Sequence, residues 1–435
     1  MAERAIRVGL VGLGTIGTGV VRALQAHGAL IAERLGFPLE LARIADVDLA
    51  RERGVDLGGY RLSRDWREIV DDPSIDLIVE LVGGTGVARE LVLAALDAGK
   101  HVVTANKALL AKHGREVFAL AAAKGSEIGF EASVGGTIPV LRALREGLCA
   151  DRVHALHGIV NGTCNYILTE MEATGEPYEA CLKRAQDLGY AEADPGSDID
   201  GIDSANKLSI LAGLAFGVYL APTAFPIEGI RHIVPADIEY ASRIGFRVKL
   251  LSVAKRNAHG IQARVHPTMI PRKSVLAGVD GSMNAIEVRG ELSGPTLYYG
   301  AGAGAAPTAS AVLADLMELA RARRSGVSGR VPPFGTPEPG MAALCAPGDQ
   351  RGEFYVRFTA HDSPGVLSRI TGSLGARGIS IASVLQEERH ESRAVPIVIT
   401  THESRQADLD AALGEIARLR EVVAPAQSIR IEREL

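Results

Sequence analysis

The sequence predicts an α/β chain in three parts: a doubly wound parallel sheet over residues 1–135, an α+β segment over 136–305, and a ferredoxin-like tail over 351–435. Three observations predict it. The first 130 residues alternate short apolar runs with helical patterns, as strands joined by crossover helices do. From about Ala150 helices come first and strands after. A proline-, glycine- and serine-rich stretch, "SGVSGRVPPFGTPEPG", then sets off a tail of order strand–helix–strand–strand–helix–strand.

The elements follow in order. "AIRVGLVG" is a strand and "TIGTGVVRALQAHGALIAERL" a long helix. "LELARIADVD" and "IDLIVELVGG" are strands, "GVARELVLAALDAGK" a helix, "HVVTANKALL" begins as a strand, and "EIGFEASVGG" is another. In the middle segment "NYILTEMEATG", "YEACLKRAQDLG" and "GIDSANKLSILAGLAFG" read as helices, while "RVKLLSVAKR", "GIQARVHPTMI" and "NAIEVRGEL" read as strands. The periodic helix over 306–324 is expected to pack back on the first domain. Residues 325–350 read as a linker, so 351–435 are expected to form an independent module whose removal after about Arg330 spares turnover.

A length of 435 residues suits two or three domains, and 47% hydrophobic with 23% charged residues is a globular composition. The net charge of -5 gives no basic patch for nucleic acid or an anionic membrane. No run of ~18 apolar residues predicts a membrane span, and "MAERAIRVGLVGLG" lacks a signal peptide's basic start. Cys149, Cys164, Cys181 and Cys345 show no metal-binding spacing. They read as reduced thiols of a cytoplasmic protein, with Cys164 a packing residue.

"GLGTIG", Gly12 to Gly17, matches G-x-G-x-x-G between a strand and a helix, the Rossmann-type context. Gly12 permits the tight turn, and Gly14 lets the backbone approach a pyrophosphate. The backbone of Leu13, Thr15, Ile16 and Gly17 then lies at the positive helix end. A glycine-rich turn without ligand is the plainer alternative. Asp46, or Asp48, ends the second strand and suits a ribose 2′-hydroxyl, hence NAD. Its distance of 29 residues from Gly17 exceeds the usual ~20. Arg43 and Arg51 suit a 2′-phosphate instead, so NAD and NADP both stand.

Asp203 and Lys207 lie one turn apart on a helix that continues as "LSILAGLAF". The bland reading is a surface salt bridge worth ~0.5 kcal/mol or less. Against it, the lysine borders a buried run, and Glu192, Asp194, Asp198 and Asp200 precede it in a Pro/Gly loop. One lysine among acids suits a polar pocket for an ammonium and a hydroxyl or carbonyl. A lysine that gives up its proton in turnover must titrate below its reference of ~10.4, through burial or a second cation. Lys107, in "TANKALL", is the candidate second cation.

"GLVGLGTIGTGVV", "TANKALLAKHG", "FEASVGGTIPVL", "GIVNGTCNYILTEM", "LGYAEADPGSDIDGIDSANKL" and "YYGAGAGAAPTASAV" together resemble the homoserine dehydrogenases, in order, over about residues 5–320. "HDSPGVLSRITGSLGARGISI" resembles an ACT domain. The resemblance implies NAD(P)-dependent interconversion of L-homoserine and L-aspartate 4-semialdehyde in threonine, methionine and isoleucine biosynthesis. It implies Lys207 as proton donor, Asp203 and Glu192 as holders of homoserine, and Lys107 in touch with cofactor and substrate. Thr104, Gly189, and Gly304 or Gly302 would touch the cofactor. Carbonyls of Glu131, Val134, Gly136 and Ile138 match a monovalent cation site, usually sodium. The residues alone read there only as a glycine-rich bend. Many relatives carry an arginine near position 47, where this chain has Val47. Another amino-acid semialdehyde dehydrogenase and a non-catalytic nucleotide and amino-acid sensor are the rival readings. The resemblance further implies a homodimer or homotetramer, and feedback through the tail by L-threonine. Pro364 and Gly365 in "HDSPGVL" place free backbone N–H groups at a helix start that suits an amino-acid carboxylate, and a dimerisation module without ligand is the plainer alternative.

Overall fold

The computed structural model describes residues 4–386 and 394–435. Strands and helices of the first part are β1 (Ile6–Val11), α1 (Thr15–Leu35), β2 (Leu39–Ala45), β3 (Arg61–Ser63), α2 (Arg67–Val70), β4 (Leu77–Glu80), α3 (Val87–Asp97), β5 (His101–Thr104), α4 (Lys107–Lys124) and β6 (Ile128–Gly129). Then come α5 (Val140–Arg142), β7 (Val153–Ile159), α6 (Gly162–Thr174), α7 (Tyr178–Asp187), α8 (Gly196–Ile199), α9 (Ile202–Phe216), β8 (Val218–Tyr219), α10 (Pro235–Arg243), β9 (Phe246–Asn257) and β10 (Gly260–Pro271). The chain ends through β11 (Met283–Gly290), β12 (Gly294–Ala301), α11 (Ala305–Ser325), β13 (Gly340–Met341), β14 (Arg351–His361), α12 (Val366–Ala376), β15 (Ile381–Gln386), β16 (Ala394–Thr401), β17 (Ser404–Arg405), α13 (Gln406–Ile416) and β18 (Val422–Ile431). Among the described residues no helix is long and apolar enough to cross a membrane.

Two compact units result. The first comprises residues 1–156, 204–224 and 283–342. Its six-stranded sheet has the order β3-β2-β1-β4-β5-β6, with every neighbouring pair parallel. The strand order reverses beside β1, where the carboxyl ends of β1 and β4 open a crevice. Gly9 in β1 has no room for a side chain, because a Cβ would lie 2.2 Å from the Ile69 methyl. Helix α11 joins this domain's core: Ala309, Val312, Leu316, Leu319 and Ala320 pack with Val8, Leu10, Val20, Val21 and Leu24. Each valine or leucine among them contributes ~1.5–3 kcal/mol on burial. Gly19 on α1 permits the contact, since a Cβ there would meet the Ala305 carbonyl at 2.6 Å.

Part of the expected linker is built into this unit. Phe334 is buried edge-on against Phe118 and Tyr219, with centroids 5.1 and 4.9 Å away. Strand β13 pairs in parallel with β8. Proline and glycine composition marks irregular backbone, and here that backbone is docked rather than free.

The second unit comprises residues 157–203, 225–282 and 343–435. The tail contributes the order β18-β14-β16-β15, which is the ferredoxin-like arrangement. Phe354, Val356, Phe358 and Ala360 of β14 face Val366, Ile370 and Leu374 of α12 and Leu409, Ala412 and Ile416 of α13 in one core. Alternation along the strand supplies that apolar face.

The tail, expected as an independent module, shares its sheet and a buried ion pair with the middle segment. Strand β18 pairs in parallel with β10, Thr268 opposite Arg430 and Met269 opposite Ile431. Asp237 of α10 is fully buried. Arg357 of β14 donates to it twice, from Nε at 2.6 Å and Nη2 at 3.1 Å, and the Tyr355 hydroxyl donates at 3.0 Å. A composition change locates a linker but not the strand edge that the next module covers.

Candidate active site

The glycine loop follows β1 as its pattern requires. Gly12 has φ +98°, and a Cβ there would lie 2.5 Å from the Leu81 carbonyl group. A Cβ on Gly17 would lie 2.1 Å from the Gly12 carbonyl oxygen. Gly14, the N-cap of α1, faces open space and provides no side-chain cap, and the first turn of α1 carries no acid. The helix-start N–H groups are thus presented to an anion, with Thr15, Ile16 and Gly17 forming the first turn. These features fit the pyrophosphate of a dinucleotide.

Asp46 stands beside this loop but is partly engaged. Its carboxylate accepts from the backbone N–H of Leu13 at 2.5 Å and of Asp48 at 2.8 Å. Arg53 donates from Nε to the Leu13 carbonyl at 2.7 Å and lies 3.4 Å from Asp46. A cavity of about 230 Å³ is lined by Gly12, Gly14, Asp46, Val47, Arg64 and Trp66, among others. Of the arginines that the sequence singled out, Arg43 is turned away into a 2.7 Å ion pair with Asp72. Arg51 does not line the cavity, and Arg64 does. Arg64 was missed because it follows β3, and only the parallel pairing of β3 with β2 brings that strand end beside Asp46.

Lys107 begins α4. Asn106 caps that helix, its side-chain oxygen accepting from Leu109 N–H at 3.0 Å. Thr104 is fully buried, and its hydroxyl donates to Glu80 at 2.6 Å while accepting from Asn106 N–H at 3.0 Å. The Thr104 side chain therefore shapes the turn that carries Lys107. Glu80, also fully buried, accepts from Val82 N–H at 2.9 Å and fixes the loop after β4. Glu80 carried no sequence signal beyond ending an apolar strand.

Asp203 and Lys207 share the first two turns of α9, at 4% and 8% exposure. A solvent-exposed salt bridge is thereby ruled out, and an acid and a lysine so buried need partners. Asn161, the N-cap of α6, provides one. Its oxygen accepts from Cys164 N–H at 2.8 Å, and its amide nitrogen donates to Asp198 at 2.7 Å and to Asp203 at 2.9 Å. The Thr163 hydroxyl donates to the Tyr190 carbonyl at 2.7 Å and lies 3.2 Å from the Asp198 carboxylate. The other acids differ in station. Asp200 forms a two-point ion pair with Arg231, which holds its carboxyl below the usual range. Glu192 is exposed, and Gly189 ends α7 with φ +77°. Cys164 is fully buried, a packed thiol.

The bend over 131–138 is fixed on several sides. The Glu131 carboxylate accepts from the backbone N–H groups of Leu141 and Arg142, both at 2.8 Å. Burial raises its pKa. Val134 and Ile138 are buried. Gly136 has φ +58°, and a Cβ there would lie 2.7 Å from the Ala301 carbonyl oxygen and from the Gly302 backbone. A Cβ on Gly302 would strike the Asn284 amide at 2.0 Å, and Gly304 with φ +124° caps α11. Glycine at 136 lets its loop close on the 301–302 backbone.

The family models agree with this division. Residues 12–131 match the homoserine dehydrogenase NAD-binding domain, 139–317 the homoserine dehydrogenase domain, and 354–421 the ACT domain. The homoserine dehydrogenase of Pseudomonas aeruginosa is 44% identical over 99% of both chains. The crystal structure of a homoserine dehydrogenase from Thiobacillus denitrificans is 44% identical, covers 99% of both chains and superposes with a TM-score of 0.94. A hyperthermophilic archaeal homoserine dehydrogenase in complex with NADPH is 25% identical with a TM-score of 0.62, over 72% of this chain and 97% of that one. With the NAD-binding, homoserine dehydrogenase and ACT models matched in order along it, and with relatives 44% identical over 99% of its length, the chain belongs to the homoserine dehydrogenase family.

Proposed function

We propose that Lys207 is the proton donor in the interconversion of L-homoserine and L-aspartate 4-semialdehyde. The observation that carries it is the burial of Lys207 one turn from Asp203 on α9. The nicotinamide, when bound, supplies or accepts the hydride at C4. In the reducing direction Lys207 Nζ protonates the developing C4 alkoxide, and in the oxidising direction it takes that proton back. Asp203 and Glu192 hold homoserine, Glu192 through the ammonium, and Lys107 touches both substrate and cofactor. Gly189, Gly302, Gly304 and Thr104 border the cofactor, with Thr104 acting through the turn it shapes. Homoserine-dependent reduction of NAD or NADP, followed by near-ultraviolet absorbance, tests the activity. Its absence would favour the sensor reading.

Asn161 positions Asp203, so Asn161→Ala is expected to raise KM for homoserine about tenfold, with a smaller change in kcat. Equal losses in the two parameters would assign Asn161 a different role.

Asp46 favours NAD, whereas Arg64 beside it suits a 2′-phosphate. Asp46→Ser is expected to shift the kcat/KM ratio about tenfold toward NADP, and Arg64→Ala to shift it the other way. An unchanged ratio in both variants would place the discrimination elsewhere. The NADPH bound by the archaeal relative supports use of the phosphorylated cofactor. Sodium is the proposed cation at the carbonyls of Glu131, Val134, Gly136 and Ile138, since such oxygens suit a hard ion. The protein is proposed to be a cytoplasmic homodimer or homotetramer. Its tail is proposed to be regulatory, with L-threonine the preferred effector.

A further inference from the structure

Lys249 of β9 is a lysine only 1% exposed. Its Nζ donates to the Val279 carbonyl at 2.5 Å, to the Asn165 side-chain oxygen at 3.1 Å and to Asp280 at 3.4 Å. Asp280 is shared. Arg247, two residues earlier on β9, pairs with it at 2.9 Å and with Glu172 of α6 at 2.6 Å. The two nearer acceptors of Lys249 are therefore neutral. Burial first, and Arg247 second, pull its pKa down to about 8. An ammonium is thus held out of water against a solvation penalty, and what it grips there is a single turn of chain.

That turn is the segment 279–282, just before β11. Asn165 of α6 grips it from the other side. Its amide nitrogen donates to the carbonyls of Val279 at 3.0 Å and Gly281 at 2.9 Å, while its oxygen accepts from Lys249. The Thr169 hydroxyl, one turn further along α6, accepts from Gly281 N–H at 3.3 Å. Lysine, asparagine and threonine together clamp the segment to the helix. The same segment bears on the start of α6, since a Cβ on Gly162 would lie 2.6 Å from the Ser282 carbonyl oxygen. Asn161 adjoins Gly162, one turn before Asn165, and its amide holds Asp198 and Asp203. A displaced 279–282 segment therefore displaces the Asn161 amide against Asp203. Hydrogen bonds weaken steeply with misalignment, and a shift of about 1 Å far from the reacting atoms can cost about 10²-fold. All three acceptors of Lys249 lie in this segment or on α6, so its influence runs through Asn161.

We propose that Lys249 is a positioning residue for homoserine binding, holding the 279–282 segment against α6 so that Asn161 meets Asp203. The inference rests on the reading of Asp203 as a holder of homoserine, and adds the buried lysine that sets the partner of Asp203 in place.

The test is a double-mutant cycle on the full chain, read as KM for homoserine and kcat at saturating cofactor. Lys249→Met, which removes the ammonium and keeps an unbranched side chain, is expected to raise KM about tenfold and to change kcat by less than about threefold. Added to Asn161→Ala, it is expected to raise KM by less than about twofold further, because the contact it supports is already gone. Asn165→Ala releases the segment from the helix side and leaves Lys249 its Val279 and Asp280 acceptors. It is expected to repeat both results. An unchanged KM in Lys249→Met would overturn the proposal, as would a KM increase that multiplies with that of Asn161→Ala. A fall in kcat alone, which a merely less stable fold would give, also overturns it. If Lys249→Met does not fold, Asn165→Ala decides by the same two readings. An unchanged KM in Asn161→Ala would sink the reading of Asp203 and this proposal with it. A raised KM there with none in Lys249→Met sinks only the role of Lys249.

Discussion

Lys207→Ala is expected to lower kcat by about 10²-fold or more while leaving cofactor affinity nearly unchanged, the range for loss of a positioned acid. The lysine is buried on a helix whose following residues are apolar, so its ammonium is placed at a cost in solvation that a merely structural role does not require. Lys207→Arg is expected to be nearly as inactive, because a guanidinium keeps the charge but does not release its proton near neutral pH. The pair of variants distinguishes proton transfer from charge stabilisation. Steady-state rates in both directions, with cofactor binding by fluorescence, read the result. A Lys207→Ala enzyme that retains most of its kcat would leave the lysine a structural role only.

Arg357→Ala is expected to destabilise the chain by about 3–5 kcal/mol, the usual loss when one partner of a buried ion pair is removed. Asp237 is fully buried and would keep only neutral donors, the Tyr355 hydroxyl at 3.0 Å and the Val234 N–H at 3.4 Å. Replacing both groups, as Asp237→Leu with Arg357→Met, is expected to recover most of that loss, since no charge is then left unpaired. Urea midpoints of the two variants measure the difference. A single variant that unfolds like the wild type would show that Asp237 finds another partner. Removing the tail after Arg330 takes away Arg357, Tyr355 and the β18 edge together. Truncation therefore tests folding before it tests regulation, and point variants in the tail are the cleaner probe of any effector.

Much of the site was legible because its signals are local. A strand, G-x-G-x-x-G and a helix fix a phosphate-binding turn through backbone geometry alone, and Gly12 and Gly17 take the close approaches that the pattern demands. Likewise the spacing of four residues on one helix places Asp203 and Lys207 on one face before any tertiary contact forms. The role of Thr104 was less legible. Its hydroxyl is spent on Glu80, its register partner on the neighbouring strand β4, 24 residues earlier in the chain.

By itself, then, the sequence determined the order of elements, the nucleotide turn, the shared helix face of the acid and lysine, and the family to which those motifs point. These are set by backbone conformation and by side-chain periodicity within a few residues. Only the tertiary structure decided that Asp203 and Lys207 are buried, that Asn161 joins Asp198 to Asp203, and that Arg64 rather than Arg43 lines the cavity beside Asp46. It alone decided that β18 pairs with β10. Strand partners and register depend on which edges meet after collapse, and residues distant in sequence carry no periodic mark of one another.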